Sequence, residues 1–144
     1  MMIPKPKRAK RTANNDRPRP QALVIDDDVS VADTVAMVLN SDGFEATPVY
    51  SGEAGVELAR RHEFEFLVTG VVMPKMNGIE TAIQIREILP QCKVLLVSGD
   101  NDSGALLQDA LSRGYKFELL AKPVHPQMLF QTLRSFGTTF KDRS

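Results

Sequence analysis

Residues 92–99 read CKVLLVSG, the most apolar run in the chain, ended by a small hydroxyl residue and a glycine. A run of this length, rich in Val and Leu and bounded by turn residues, predicts a strand buried on both faces, as in the centre of a parallel sheet. The neighbouring stretches repeat the theme. FEFLVTG (64–70) predicts a second buried strand and ALVID (22–26) a third. FEATPVY (44–50) alternates only weakly and predicts a more exposed strand, and KFELLAK (116–122) predicts a short one.

Between these runs the apolar period changes from that of a strand to that of a helix. Residues 29–43 place Val31, Val35, Val38 and Leu39 at helical spacing and stop at Gly43. Ser51 is set to cap a helix through residue 63 that carries Val56, Leu58 and Ala59. Met76 to Leu89 reads as a helix with Ile79, Ile83 and Ile88 on its apolar face, ended by Pro90. Asn101 to Arg113 reads as a helix through Leu106, Leu107, Ala110 and Leu111. A last helix, from about His125 to Phe136, is expected to turn Met128, Leu129 and Leu133 toward the sheet. Strands and helices that alternate through short connections imply a parallel sheet with helices on both faces, a three-layer α/β fold.

The chain of 144 residues, 42% apolar and 25% charged, suits one domain with a real core. Its zero net charge is unevenly spread: residues 1–20 carry +6 and residues 21–144 carry −6. The first segment, MMIPKPKRAKRTANNDRPRP, has four prolines and few large apolar groups. It cannot bury enough surface to offset its ordering entropy and is expected to be a disordered basic tail. The domain is expected over 21–137, with a short tail over 138–144. Nucleic acid is not expected as a partner except through the basic tail, which lacks interleaved aromatic residues. The single cysteine, Cys92, excludes an intrachain disulfide; no signal-type apolar run follows the basic N-terminal residues, and no stretch approaches the length of a membrane span. A cytoplasmic protein is expected.

In an open parallel sheet, ligands sit beyond the carboxyl ends of the strands. Those ends deliver Asp26 and Asp27 with Asp28 beyond, then Thr69 and Gly70, then Ser98 and Gly99, then Lys122 before Pro123. Carboxylates suit a hard cation such as Mg2+, and a lysine with a serine hydroxyl suits phosphoryl oxygens. Helix capping accounts for one of the three aspartates but not for all. Phosphate-loop and dinucleotide fingerprints are absent, and one Cys with two scattered His (His62, His125) gives no zinc site or nucleophilic triad.

Four motifs, IDDD (25–28), MPKMNG (73–78), VSG (97–99) and AKP (121–123), stand in order at those strand ends. In them the chain, from about Ala22 to Phe136, resembles the receiver domain of two-component response regulators. The resemblance implies a flavodoxin-like (βα)5 fold with strand order 2-1-3-4-5, an order for which the chemotaxis receiver is a standard example. It implies an acidic metal pocket at Asp26 and Asp27, with the Val72 carbonyl as a backbone ligand. It also implies phosphoryl contacts from Ser98 and Lys122 and a cis Lys122–Pro123 bond.

Two positions depart from the family. The phosphoacceptor aspartate, three residues before the Met-Pro pair, is Gly70, and the aromatic switch position is Leu119. The expectation is therefore an atypical, stand-alone, non-enzymatic signalling module that binds Mg2+ weakly and acts without aspartyl phosphorylation. Its expected partners are proteins, a histidine kinase or a downstream signalling protein, with a homodimer also open. The docking surface implied by the family is roughly 102–136. The alternative is a phosphoaccepting receiver of a phosphorelay whose acceptor was substituted at position 70 in this copy.

Overall fold

A computed structural model describes residues 18–99 and 103–136. Ten elements alternate: β1 (Gln21–Ile25), α1 (Val29–Ser41), β2 (Glu45–Val49), α2 (Gly52–Arg61), β3 (Phe66–Gly70), α3 (Gly78–Ile88), β4 (Lys93–Ser98), α4 (Ser103–Ser112), β5 (Glu118–Ala121) and α5 (Pro126–Ser135). The five strands pair in parallel in the order β2-β1-β3-β4-β5. The flavodoxin-like architecture expected from the sequence is the one observed. Most of the segment expected as a basic tail, and all of 138–144, lie outside the described residues.

Side chains alternate across the sheet and make two cores. Leu23, Ile25, Leu67, Val94 and Leu96 pack with Val56 and Ala59 of α2, Ile79, Ala82, Ile83 and Ile85 of α3, and Ala110 of α4. Ala22, Val24, Phe66, Val68, Leu95 and Val97 face the other way, against Ala32, Val35, Ala36 and Leu39 of α1 and Leu129 and Leu133 of α5. Phe66, Leu67, Leu95 and Leu96 are fully enclosed. Each such side chain contributes on the order of 2 kcal/mol through burial.

Helix starts follow from capping chemistry. Ser51 accepts a hydrogen bond from the Ala54 N–H, as expected. Asn77 caps α3 by accepting from the Glu80 N–H at 2.9 Å. That cap begins the helix at Gly78 and leaves Met76 outside it, two residues later than the apolar pattern implies. Two apolar faces also differ from expectation. Met128 and Leu111 are about half exposed, at 47% and 50%. Leu129 and Leu133, one turn apart, take the sheet-facing stripe of α5, and Met128 is turned about 100° from Leu129. In α4, Ala110 takes the buried position and turns Leu111 outward by the same step. The last strand is shorter than KFELLAK because only Glu118–Ala121 pair with β4.

Candidate functional site

At the carboxyl end of β1, three consecutive aspartates do three different things. Asp28 is the N-cap of α1, and its Oδ1 accepts from the N–H of Ser30 at 3.1 Å, from the Ser30 hydroxyl at 2.9 Å and from the N–H of Val31 at 3.4 Å. The Ser30 hydroxyl above all, then the Val31 N–H, holds the Asp28 carboxyl below the usual aspartate range. Asp27 is exposed. Asp26 is buried, at 4% exposure. Its Oδ1 accepts from the Asp28 N–H at 2.9 Å. Its Oδ2 lies 3.1 Å from Lys122 Nζ.

Gly70 ends β3 directly beside this pair. A Cβ placed there would stand 3.0 Å from Asp26 Oδ2 and 3.4 Å from its Cγ. Thr69, wholly buried, turns its hydroxyl onto the Gly70 carbonyl at 3.1 Å. Thr69 aligns with Ile25 and Leu96, on the sheet face opposite Gly70's neighbour Val97. Gly78 closes the β3–α3 loop, its N–H donating to the Val71 carbonyl at 2.7 Å. A Cβ on Gly78 would collide with the Gly70 carbonyl. Between them, Lys75 adopts a positive φ of 66°. Val72 exposes 57% of its surface at the rim.

Lys122 arrives from β5, its backbone N–H donating to the Ser98 carbonyl at 2.9 Å, and the Lys122–Pro123 bond is cis. The lysine stem passes over Gly99, where an added Cβ would meet Lys122 Cδ at 3.3 Å. Ser98 is 7% exposed, and its hydroxyl accepts from the Ser103 hydroxyl at 3.1 Å. Ser103, the first residue of α4, is itself buried. Sequence reasoning missed this partner because Ser103 lies inside the stretch expected to be plain helix; the only signal is two serines five residues apart. Leu119 lies on β5, paired with Leu96 of β4 and 41% exposed.

The structure thus brings Asp26, Gly70, Ser98 and Lys122 to one sheet edge, with Asp27 and Val72 on the rim. Beside Asp27, a cleft of about 340 Å³ is lined by Tyr50, Ser51, Glu53, Met73, Pro74 and Lys75. The Tyr50 hydroxyl donates to Asp33 of α1 at 2.6 Å, and that bond raises the Tyr50 pKa. As a Mg2+ site the donor set falls short. Position 70 offers no carboxylate, both oxygens of Asp26 are already engaged, and among the described residues no three acidic, His or Cys side chains converge.

A parallel five-stranded sheet in this order, with an acidic pair, a hydroxyl and a lysine at its carboxyl edge, defines a receiver-type module. The chain belongs to the response regulator receiver domain family, whose model matches residues 22–134. It is 25% identical over 105 residues to the cell cycle transcriptional regulator CtrA of Caulobacter vibrioides, a match covering 73% of this chain and 45% of that protein. The chain thus spans about half the length of that regulator. It superposes on a response regulator receiver domain protein of Clostridium thermocellum with a TM-score of 0.75 and 25% identity, covering 87% of this chain and 99% of the other. For the chemotaxis protein CheY4 of Vibrio cholerae the TM-score is 0.74 at 24% identity, over 82% and 98% of the two chains. Receiver domains are signalling modules of two-component systems. Among the described residues no helix is long and apolar enough to cross a membrane.

Proposed function

We propose that this chain is an atypical receiver that signals through protein–protein contact independently of aspartyl phosphorylation. One observation carries the reading. Gly70 occupies the position three residues before Met73-Pro74, and the space beside it is filled by the Asp26 carboxylate in an ion pair with Lys122. An acyl phosphate needs a carboxylate, and neither Thr69, turned onto the Gly70 carbonyl, nor the apolar Val71 and Val72 supplies one. Mg2+ binding through Asp26, Asp27 and the Val72 carbonyl is correspondingly weak. The contact face is formed by α4, β5 and α5, where Leu111, Leu119 and Met128 stand exposed. In the cytoplasm it docks a histidine kinase or a downstream signalling protein, with self-association through the same face as a second use of it.

The retained Asp26, Asp27, Ser98 and Lys122 favour a second reading: a phosphoaccepting receiver altered only at position 70. Intact mass after incubation with acetyl phosphate and Mg2+, on this chain and on Gly70→Asp, separates the two from a third outcome. Phosphoryl gain by Gly70→Asp alone means that the pocket lacks only its acceptor. Gain by neither means that the pocket has diverged beyond position 70. Gain by this chain itself overturns the phosphorylation-independent reading.

A further inference from the structure

The geometry points to Lys122 as a built-in counter-cation that occupies Asp26 and keeps divalent metal out of the pocket. This inference rests on the proposed reading of the site and adds how that site is regulated.

A buried carboxylate must be neutralised or fully hydrogen-bonded to remain charged. Asp26 is 4% exposed and meets that demand from within the chain. One oxygen takes the Asp28 N–H at 2.9 Å and the other takes the Lys122 ammonium at 3.1 Å. Asp28 cannot serve as a spare ligand without giving up the cap of α1, because its carboxylate already receives Ser30 and Val31. That leaves Asp27 as the carboxylate not engaged by either arrangement.

Two glycines clear the path for the lysine. At Gly70 no side chain competes for the space beside Asp26 Oδ2. At Gly99 no Cβ obstructs the lysine stem, whose Cδ would lie 3.3 Å from it. The backbone fixes the approach, since the Lys122 N–H is bonded to the Ser98 carbonyl. A divalent cation entering here would have to displace an ammonium that already satisfies the buried carboxylate, and would share the site with its positive charge. Like-charge crowding and a lost ion pair both act against the metal.

The test is calorimetric titration of the full chain with MgCl2 at constant ionic strength, for the wild type, Lys122→Met and Lys122→Arg. Removing the competing charge is expected to tighten Mg2+ binding about tenfold or more in Lys122→Met, with Lys122→Arg remaining as weak as the wild type. Equal affinities in the wild type and Lys122→Met would overturn the inference. Circular dichroism reports whether Lys122→Met folds; if it does not, Lys122→Gln, which can still donate to Asp26 without charge, takes its place. A thermal measurement also decides. The rise in melting temperature in MgCl2 over NaCl of matched ionic strength should be larger for Lys122→Met than for the wild type, and an equal rise in the two would overturn the inference. A mass gain with acetyl phosphate defeats the phosphorylation-independent reading and leaves the metal titration to be judged by its own outcome.

Discussion

A Cβ on residue 70 would stand 3.0 Å from Asp26 Oδ2, closer than such contacts ordinarily come, so Gly70 and the buried Asp26 share one small space. The oxygen is the end of a short side chain, but it is tethered to Lys122 and, through its carboxylate, to the Asp28 N–H. Gly70→Asp must therefore push Asp26 aside and add a second carboxylate to the pocket. In the presence of a chelator this variant should be less stable than the wild type by about 1–3 kcal/mol, from overpacking and like-charge repulsion. Added Mg2+ should narrow the gap, because a cation relieves the repulsion. Urea unfolding with and without Mg2+ measures both effects. A variant as stable as the wild type in chelator would mean that Asp26 moves freely.

Gly78 tests a different constraint at the same edge. The atoms that an added Cβ would meet are backbone: the Gly70 carbonyl and the Val71 Cα. Backbone cannot rotate away as a side chain can, so Gly78→Ala should destabilise by about 3 kcal/mol, the upper end of overpacking costs. Gly104 in α4 is the control, since among the described residues nothing lies within 4 Å of its Cβ position. There the same substitution should stabilise by roughly 0.5–1 kcal/mol through helix propensity. Chemical denaturation of the two variants should give shifts of opposite sign.

The contrast between these glycines shows what the sequence could and could not convey. The order of strands and helices was legible because each run carries its own period and each face of the sheet draws on alternate residues, as Leu23 and Ile25 against Ala22 and Val24 demonstrate. The convergence of Asp26, Gly70, Ser98 and Lys122 was also legible, since all four lie at or next to the carboxyl ends of adjacent strands. Which partner each would take was not. The Asp26–Lys122 pair joins residues 96 positions apart, and the Ser103–Ser98 bond depends on how α4 begins. Likewise the exposure of Met128 and Leu111 depends on helix rotation by a single residue step, which apolar content alone does not fix.

Asp28 offers a test by pH. Its carboxyl is held below the usual aspartate value of 3.8 in the folded chain, chiefly by the Ser30 hydroxyl. A depressed folded pKa means that the folded state favours the carboxylate. The resulting stability is present above the unfolded pKa and is lost as pH falls through the folded one. Asp28→Ala should therefore lower the melting temperature at neutral pH through loss of the cap. The difference from the wild type should shrink as the pH drops below about 4, the unperturbed aspartate range. A difference that stayed constant to strongly acid pH would show that the carboxylate charge at the cap contributes nothing.

Cys92 reports on the opposite end of the sheet. It immediately precedes β4 and is 2% exposed, packed in the core with Phe64, Val94 and Ala110. Burial pushes its thiol up to about 12 from an ordinary 9.0, outweighing the nearby positive charges of Arg86 and Lys93. The folded state thus favours the neutral thiol, and this contribution is present below the unfolded pKa and lost as pH rises through the folded one. Near pH 8 the native chain should hold almost no accessible thiolate, and iodoacetamide should leave it unmodified while labelling the denatured chain rapidly. Slow native labelling should accelerate with sub-denaturing urea in proportion to the open population. Labelling of the native chain at a free-thiol rate, with no dependence on urea, would show that this edge of the core is open without unfolding.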